Sequence, residues 1–133
     1  MFLNEFDDAK KEGFWNLAVL LIKTDGKISP DEKGILSSYK AEMERDDLSV
    51  EECSEDIEKI VSDMDLDSKS KRILMYELVS LAFSDELYDL NERETLKAIQ
   101  KAIGMSDEEL SKLADYTRKL SELCIELEDY INE

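Results

Sequence analysis

Apolar residues return at three- and four-residue intervals along almost the whole chain, the spacing that lines one face of an α-helix. Cys53, Ile57, Ile60, Val61 and Met64 form one stripe. Leu110, Leu113, Thr117, Leu120, Cys124, Leu127 and Ile131 form another, widened by Tyr116, Leu123 and Tyr130. Residues 14–22, Phe-Trp-Asn-Leu-Ala-Val-Leu-Leu-Ile, are apolar on nearly every side, as a helix at the centre of a bundle must be. Start signals divide this pattern. Ser29-Pro30-Asp31-Glu32 supplies a serine N-cap, a proline at N1 and a glutamate that closes a capping box. Ser49-Val50-Glu51-Glu52 and Ser106-Asp107-Glu108-Glu109 have the same form, Asp89-Leu90-Asn91-Glu92 is a further cap pattern, and Gly104 is a good stop. The spacing predicts helices over about 4–23, 30–45, 50–64, 68–84, 90–103 and 107–131. One proline and four glycines leave little material for hairpins. The expected fold is all-α, a compact bundle of about six helices in a single domain over 1–133.

The chain also repeats itself. Asp25-Gly26-Lys27-Ile28-Ser29-Pro30-Asp31-Glu32 lies over Asp85-Glu86-Leu87-Tyr88-Asp89-Leu90-Asn91-Glu92 at a constant offset of 60. Each copy has an aspartate, an apolar residue three on, a capping residue four on and a glutamate seven on. Leu21 and Ile22 precede the first copy as Leu81 and Ala82 precede the second; Leu36, Tyr39 and Met43 follow it as Leu96, Ile99 and Ile103 follow the other. The expected organisation is two quasi-symmetric helical hairpins, about 10–46 and 68–104. The third helix bridges them, and a long C-terminal helix closes the bundle.

The run Ile22-Lys23-Thr24-Asp25-Gly26-Lys27-Ile28-Ser29-Pro30-Asp31-Glu32 resembles the acidic Asp-Gly-x-Ile-x-x-x-Glu turn of the tellurite-resistance TerB family. The second turn, followed by Leu96-Lys97-Ala98-Ile99 and then by residues 103–109, is similar to that family's second half. The likeness covers roughly residues 10–115, and the order of its elements is more specific than either turn. It implies a compact helical fold with quasi-twofold halves, a divalent-metal site in the acidic turns, a stress- or tellurite-resistance setting and no catalytic activity. Glu86 departs from the pattern where the first copy has Gly26. A left-handed angle there would cost about 1 kcal/mol, unless the second turn has another shape.

Charge narrows the partners. The 34 acids against 17 bases give a net charge of −17, which repels phosphate backbones and anionic membranes, so neither nucleic acid nor a membrane surface is expected. Divalent cations or a basic protein are the natural complements. The longest apolar run, Leu17 to Ile22, is too short to span a bilayer, and the start, Met-Phe-Leu-Asn-Glu-Phe-Asp-Asp, does not read as a secretion signal. Cys53 and Cys124 lack paired spacing and sit on apolar stripes, so both are expected as buried thiols in a reducing cytoplasm. There is no histidine, which removes the commonest general base, and no reaction is expected.

Asp25, Glu32, Asp85 and Glu92 are therefore the candidate oxygen ligands for Ca²⁺ or Mg²⁺. The competing reading makes Glu32 a capping residue and Asp25 a solvated turn residue. Asp25 to Glu32 has the spacing of EF-hand positions five and twelve, but positions one and three would be Leu21 and Lys23, so it is not an EF-hand. A cation would have to be gathered from both turns, or from one turn and water, against the positive end of a helix. Residues 46–67 hold ten acids and one lysine, a solvated face or a docking surface for a basic partner. A protein partner is thus expected on the acidic helix 49–64 or on the C-terminal helix. The latter either packs wholly on its own bundle, giving a monomer, or pairs in a homodimer. Trp15 and the phenylalanines read as core.

Overall fold

The computed structural model describes residues 1–23, 28–51, 53, 56–83 and 90–133. A 3-10 turn over Leu3–Glu5 is followed by α1 (Asp8–Ile22), α2 (Pro30–Met43), α3 (Ile57–Met64), α4 (Ser68–Phe83), α5 (Leu90–Ile103) and α6 (Asp107–Ile131), with no strand among the described residues. The molecule is an all-α bundle. No described helix is long and apolar enough to cross a membrane.

The offset of 60 seen in the sequence governs the helix ends. Asp7 caps α1 by accepting from the Lys10 N–H at 2.9 Å, and Asp67 accepts from the Ser70 N–H at 2.8 Å at the start of α4. Helices α2 and α5 begin and end in register. Both close in the same manner: Glu44, with φ of 56°, donates its N–H to the Ala41 carbonyl, and Gly104, with φ of 76°, donates to that of Lys101. The next residues, Arg45 and Met105, reach back to the carbonyls of Lys40 and Gln100. These paired bonds complete the left-handed stop that ends many helices. A non-glycine pays for that angle, so the second copy holds the easier residue.

The core is drawn from every helix: Phe14, Leu17, Ala18 and Leu21 from α1, Met43 from α2, Met64 from α3, Leu74 and Leu78 from α4, Ile99 from α5. Helix α3 packs on α1 and α5 and so bridges the two halves; α6 packs on α4. Helices α3 and α6 thereby lie over matching stretches of the first helix of each half. Residues 9–16 of α1 face α3 through Ala9, Gly13 and Asn16, and Lys69, Ile73 and Tyr76 of α4 face α6.

Four expectations change. The first helix does not run from residue 4: Leu3 and Phe6 are buried, and the chain breaks between them and the Asp7 cap. The third helix does not begin after Ser49. The Ser49 carbonyl accepts from the Trp15 indole at 3.0 Å and from the Cys53 thiol at 3.2 Å, so this stretch wraps the core and Asp56 caps α3 instead. Cys53 is only partly buried and Cys124 is exposed. Phe2 lies on the surface, edge-on to Tyr76 at 5.6 Å, while Phe6, Phe14 and Trp15 are core as expected.

Candidate functional site

The acidic turns are reached by one described side chain. Glu32 sits at N3 of α2, where its Oε1 accepts from the Ser29 N–H at 2.9 Å and its own N–H donates to Ser29 Oγ at 3.1 Å. Both halves of the capping box are made. A cation bound there would compete with that hydrogen bond and with the positive end of α2. Asp25 and Asp85 lie outside the described residues, and so does the side chain of Glu92. Among the described residues no three acids or thiols come together as a metal site.

A different feature dominates the described surface. Between the N-terminal residues, α4 and α6 lies a cavity of about 790 Å³, walled by Met1, Phe2, Ile73, Tyr76, Leu113, Tyr116 and Leu120, with Glu5, Lys69 and Arg72 at its edge. The matching space between α1 and α3 is about 220 Å³. The two halves differ at matching positions. Where α1 has Gly13, allowing Met64 of α3 to press close, α4 has Ile73; where α1 has Asn16, α4 has Tyr76. The larger side chains of α4 line the groove, together with Met1 and Phe2.

A buried carboxylate borders the same region. Glu77 occupies the place that Leu17 fills in the first half, and it is 4% exposed. It accepts from the Met1 ammonium at 2.8 Å and from the Phe2 N–H at 2.9 Å; Glu42 meets the same ammonium at 2.7 Å. Burial works against the ammonium's charge, but the two carboxylates outweigh it and raise its pKa. Glu77 is thereby a tether that fixes Met1 and Phe2 along the groove. Burial also lifts the Tyr39 hydroxyl well above its ordinary value, with the charges of Glu77 and Glu42 adding to the effect. Cys53 is raised too, mainly by burial, which makes it a poor nucleophile.

Helix α6 carries the groove beyond the bundle. Its 25 residues span about 37 Å, against about 24 Å for the 16 of α4. Leu110, Leu113 and Ala114 pack on the core and Thr117 is buried, but every residue over 121–133 is exposed. Of the two expectations left open for this seam, packing on its own bundle describes its first half only. Among the described residues the large apolar side chains that stand exposed are Met1, Phe2, Tyr116, Leu123, Ile125, Leu127, Tyr130 and Ile131, all at the chain start or on α6.

The acidic stretch 46–67 is spread over capping and pairing tasks. Asp47 joins Glu12 and Asp8 around Arg45, at 2.8, 2.8 and 3.4 Å, and the hydrogen bond from Arg45 holds Asp47 down at about 2. Asp56 and Asp67 cap helices. Glu51, Glu58, Asp63 and Asp65 are exposed. No protein-family model, curated protein or solved structure matches the chain.

Proposed function

We propose that the chain is a non-catalytic, TerB-like helical module that holds a protein partner against the groove between α4 and α6 and the free half of α6. The observation that carries this reading is the set of exposed large apolar side chains that runs from Met1 and Phe2 over Tyr116, Leu123, Leu127, Tyr130 and Ile131 on one side of α6, Ile125 standing on the other. Contiguous apolar surface of this kind, rimmed by charge, marks a docking site. A cytoplasmic stress- or metal-resistance setting comes with the family resemblance. The test is capture on immobilised chain compared with its Leu127→Lys variant, with amide exchange mapping where the partner sits. Loss of partner in the variant, with protection over residues 113–131, supports the reading. Partners bound equally well by the variant sink it.

A second reading is favoured by the fidelity of the repeat. Glu32 and Glu92 take the same N3 place in α2 and α5. In this reading Asp25, Glu32, Asp85 and Glu92 share a weakly held Ca²⁺ or Mg²⁺. Calorimetric titration of chelator-treated protein should then show saturable binding that Asp25→Asn and Asp85→Asn each abolish. Heat that is absent, or unchanged in both variants, leaves the turns as helix caps.

A further inference from the structure

We infer that the partner on this face is a second copy of the chain, bound through an antiparallel pairing of the two α6 helices about a twofold axis near Leu123. The inference rests on the docking reading above and names its occupant.

Three observations lead there. First, the second half of α6 is uncovered. A helical end that packs on little is marginal in water, and residues 121–131 are all exposed while carrying Leu123, Leu127, Tyr130 and Ile131 on the side continuous with the groove. That side requires cover. Second, the two halves of α6 complement each other. The free half holds Glu122, Glu126, Glu128, Asp129 and Glu133 and no base, whereas around the groove Lys69, Arg72 and Lys112 outnumber Glu5 and Glu109, Lys69 being paired with Glu5 at 2.7 Å. An acidic, apolar-faced helix is the chemistry this groove fits, and the chain itself carries one.

Third, the charges fix the direction. Lys112, Lys119, Glu126 and Glu133 recur every seven residues along one border of the apolar stripe, and all four are exposed. This row is cationic in its first half and anionic in its second. Laid antiparallel on itself about a point between Leu120 and Leu123, it sets Lys112 against Glu133 of the other copy and Lys119 against Glu126, four oppositely charged pairs across the twofold. A parallel pairing aligns like with like. In the antiparallel register that makes these charge pairs, Leu123 meets Leu120 and Leu127 meets Tyr116 across the axis. Tyr130 meets Leu113, entering the groove walled by Ile73 and Tyr76. The contact is the same patch on both copies, so it closes as a dimer and does not propagate.

Sedimentation of the full chain over a wide concentration range tests the proposal. A monomer–dimer equilibrium is expected. Leu123→Lys should weaken it by about a hundredfold or more, since it places two charges at the centre of an apolar contact. Glu126→Lys should weaken it roughly threefold to tenfold, as should Lys119→Glu, and the double exchange should restore it. All of these positions are exposed, so circular dichroism should show each variant folded. Cross-linking settles the direction. With Cys53 and Cys124 replaced by serine, Leu123→Cys should give a disulfide-linked dimer on mild oxidation and Ile131→Cys should not. A chain that stays monomeric at every concentration overturns the inference, as does a dimer indifferent to these variants or a link formed at residue 131. A monomer that captures another protein through this same face overturns the dimer alone and leaves the docking function standing.

Discussion

Single residues set how closely the helices approach. Gly13 is buried in α1 beneath α3, and a Cβ built there would overlap Cγ and Sδ of Met64. Those atoms sit in the middle of a side chain that is itself 1% exposed, so it cannot swing clear. Overpacking of this kind costs about 1–3 kcal/mol, against a helix-propensity gain of about 1 kcal/mol for alanine over glycine. Gly13→Ala should therefore destabilise by up to about 2 kcal/mol. Gly34, in α2, has nothing within 4 Å of the same built atom, so Gly34→Ala should stabilise by about 0.5–1 kcal/mol. Urea unfolding of both variants checks the pair, and the opposite signs are the point. Tyr39 gives a pH test at the same scale. Its ordinary pKa of 10.0 is raised in the folded state, so below pH 10 it is neutral in both states and costs nothing. Above that, the unfolded chain releases the proton more readily, and stability should fall by about 1.4 kcal/mol per pH unit until the folded group also titrates. In an alkaline titration part of the tyrosinate absorbance should appear only with unfolding. Tyr39→Phe should move the alkaline midpoint upward; an unchanged midpoint would refute the account.

At the scale of elements, caps decide where helices begin, and tertiary contacts decide which caps are used. Ser29 accepts from the Glu32 N–H at 3.1 Å, so Ser29→Ala should cost about 1 kcal/mol. Ser49 heads an equally good local pattern, but α3 begins eight residues later, at Ile57. Ser49→Ala should cost less than about 0.5 kcal/mol, as for an ordinary surface change. Equal losses at the two serines would contradict the placement of α3. This contrast shows where sequence reading reached its limit. Five helices could be located from their stripes and caps, and the offset of 60 was readable because it recurs in local chemistry. The start of α3 was not, because it depends on the Trp15 indole reaching a carbonyl 34 positions away. The groove was not legible for the same reason. It lies where α4 has Ile73 and Tyr76 at the positions of Gly13 and Asn16 in α1, a match that says nothing until α3 and α6 are seen over equivalent stretches. The charge row along α6 was in plain view, yet it acquires meaning only once the free half of that helix is known to have no cover.

For the molecule as a whole the governing quantity is its net charge of −17. Like charges at this density oppose the compact state, and the exposed pairs around Arg45 and Lys69 are too few to offset the excess of acids. Screening should relieve the repulsion. As the Debye length shrinks from about 30 Å at 0.01 M to about 8 Å at 0.15 M ionic strength, the melting temperature should climb steadily and then level off. This general effect can be separated from a specific site by comparing NaCl with MgCl₂ or CaCl₂ at matched ionic strength. The acidic residues whose side chains are described are capping, paired or dispersed, so screening and loose counterion accumulation predict at most a modest, non-saturating advantage for the divalent salts. A steep, saturable rise at low Ca²⁺ that Asp25→Asn removes would instead place a real cation site in the turns. The same titration followed by sedimentation separates a third contribution. If self-association through α6 contributes to the melting temperature, that part should grow with protein concentration and vanish in Leu123→Lys. It should also weaken at high salt, because its charge row is attractive where the rest of the surface is repulsive. A melting temperature that rises with salt in the variant but passes through a maximum in the native chain is the expected signature.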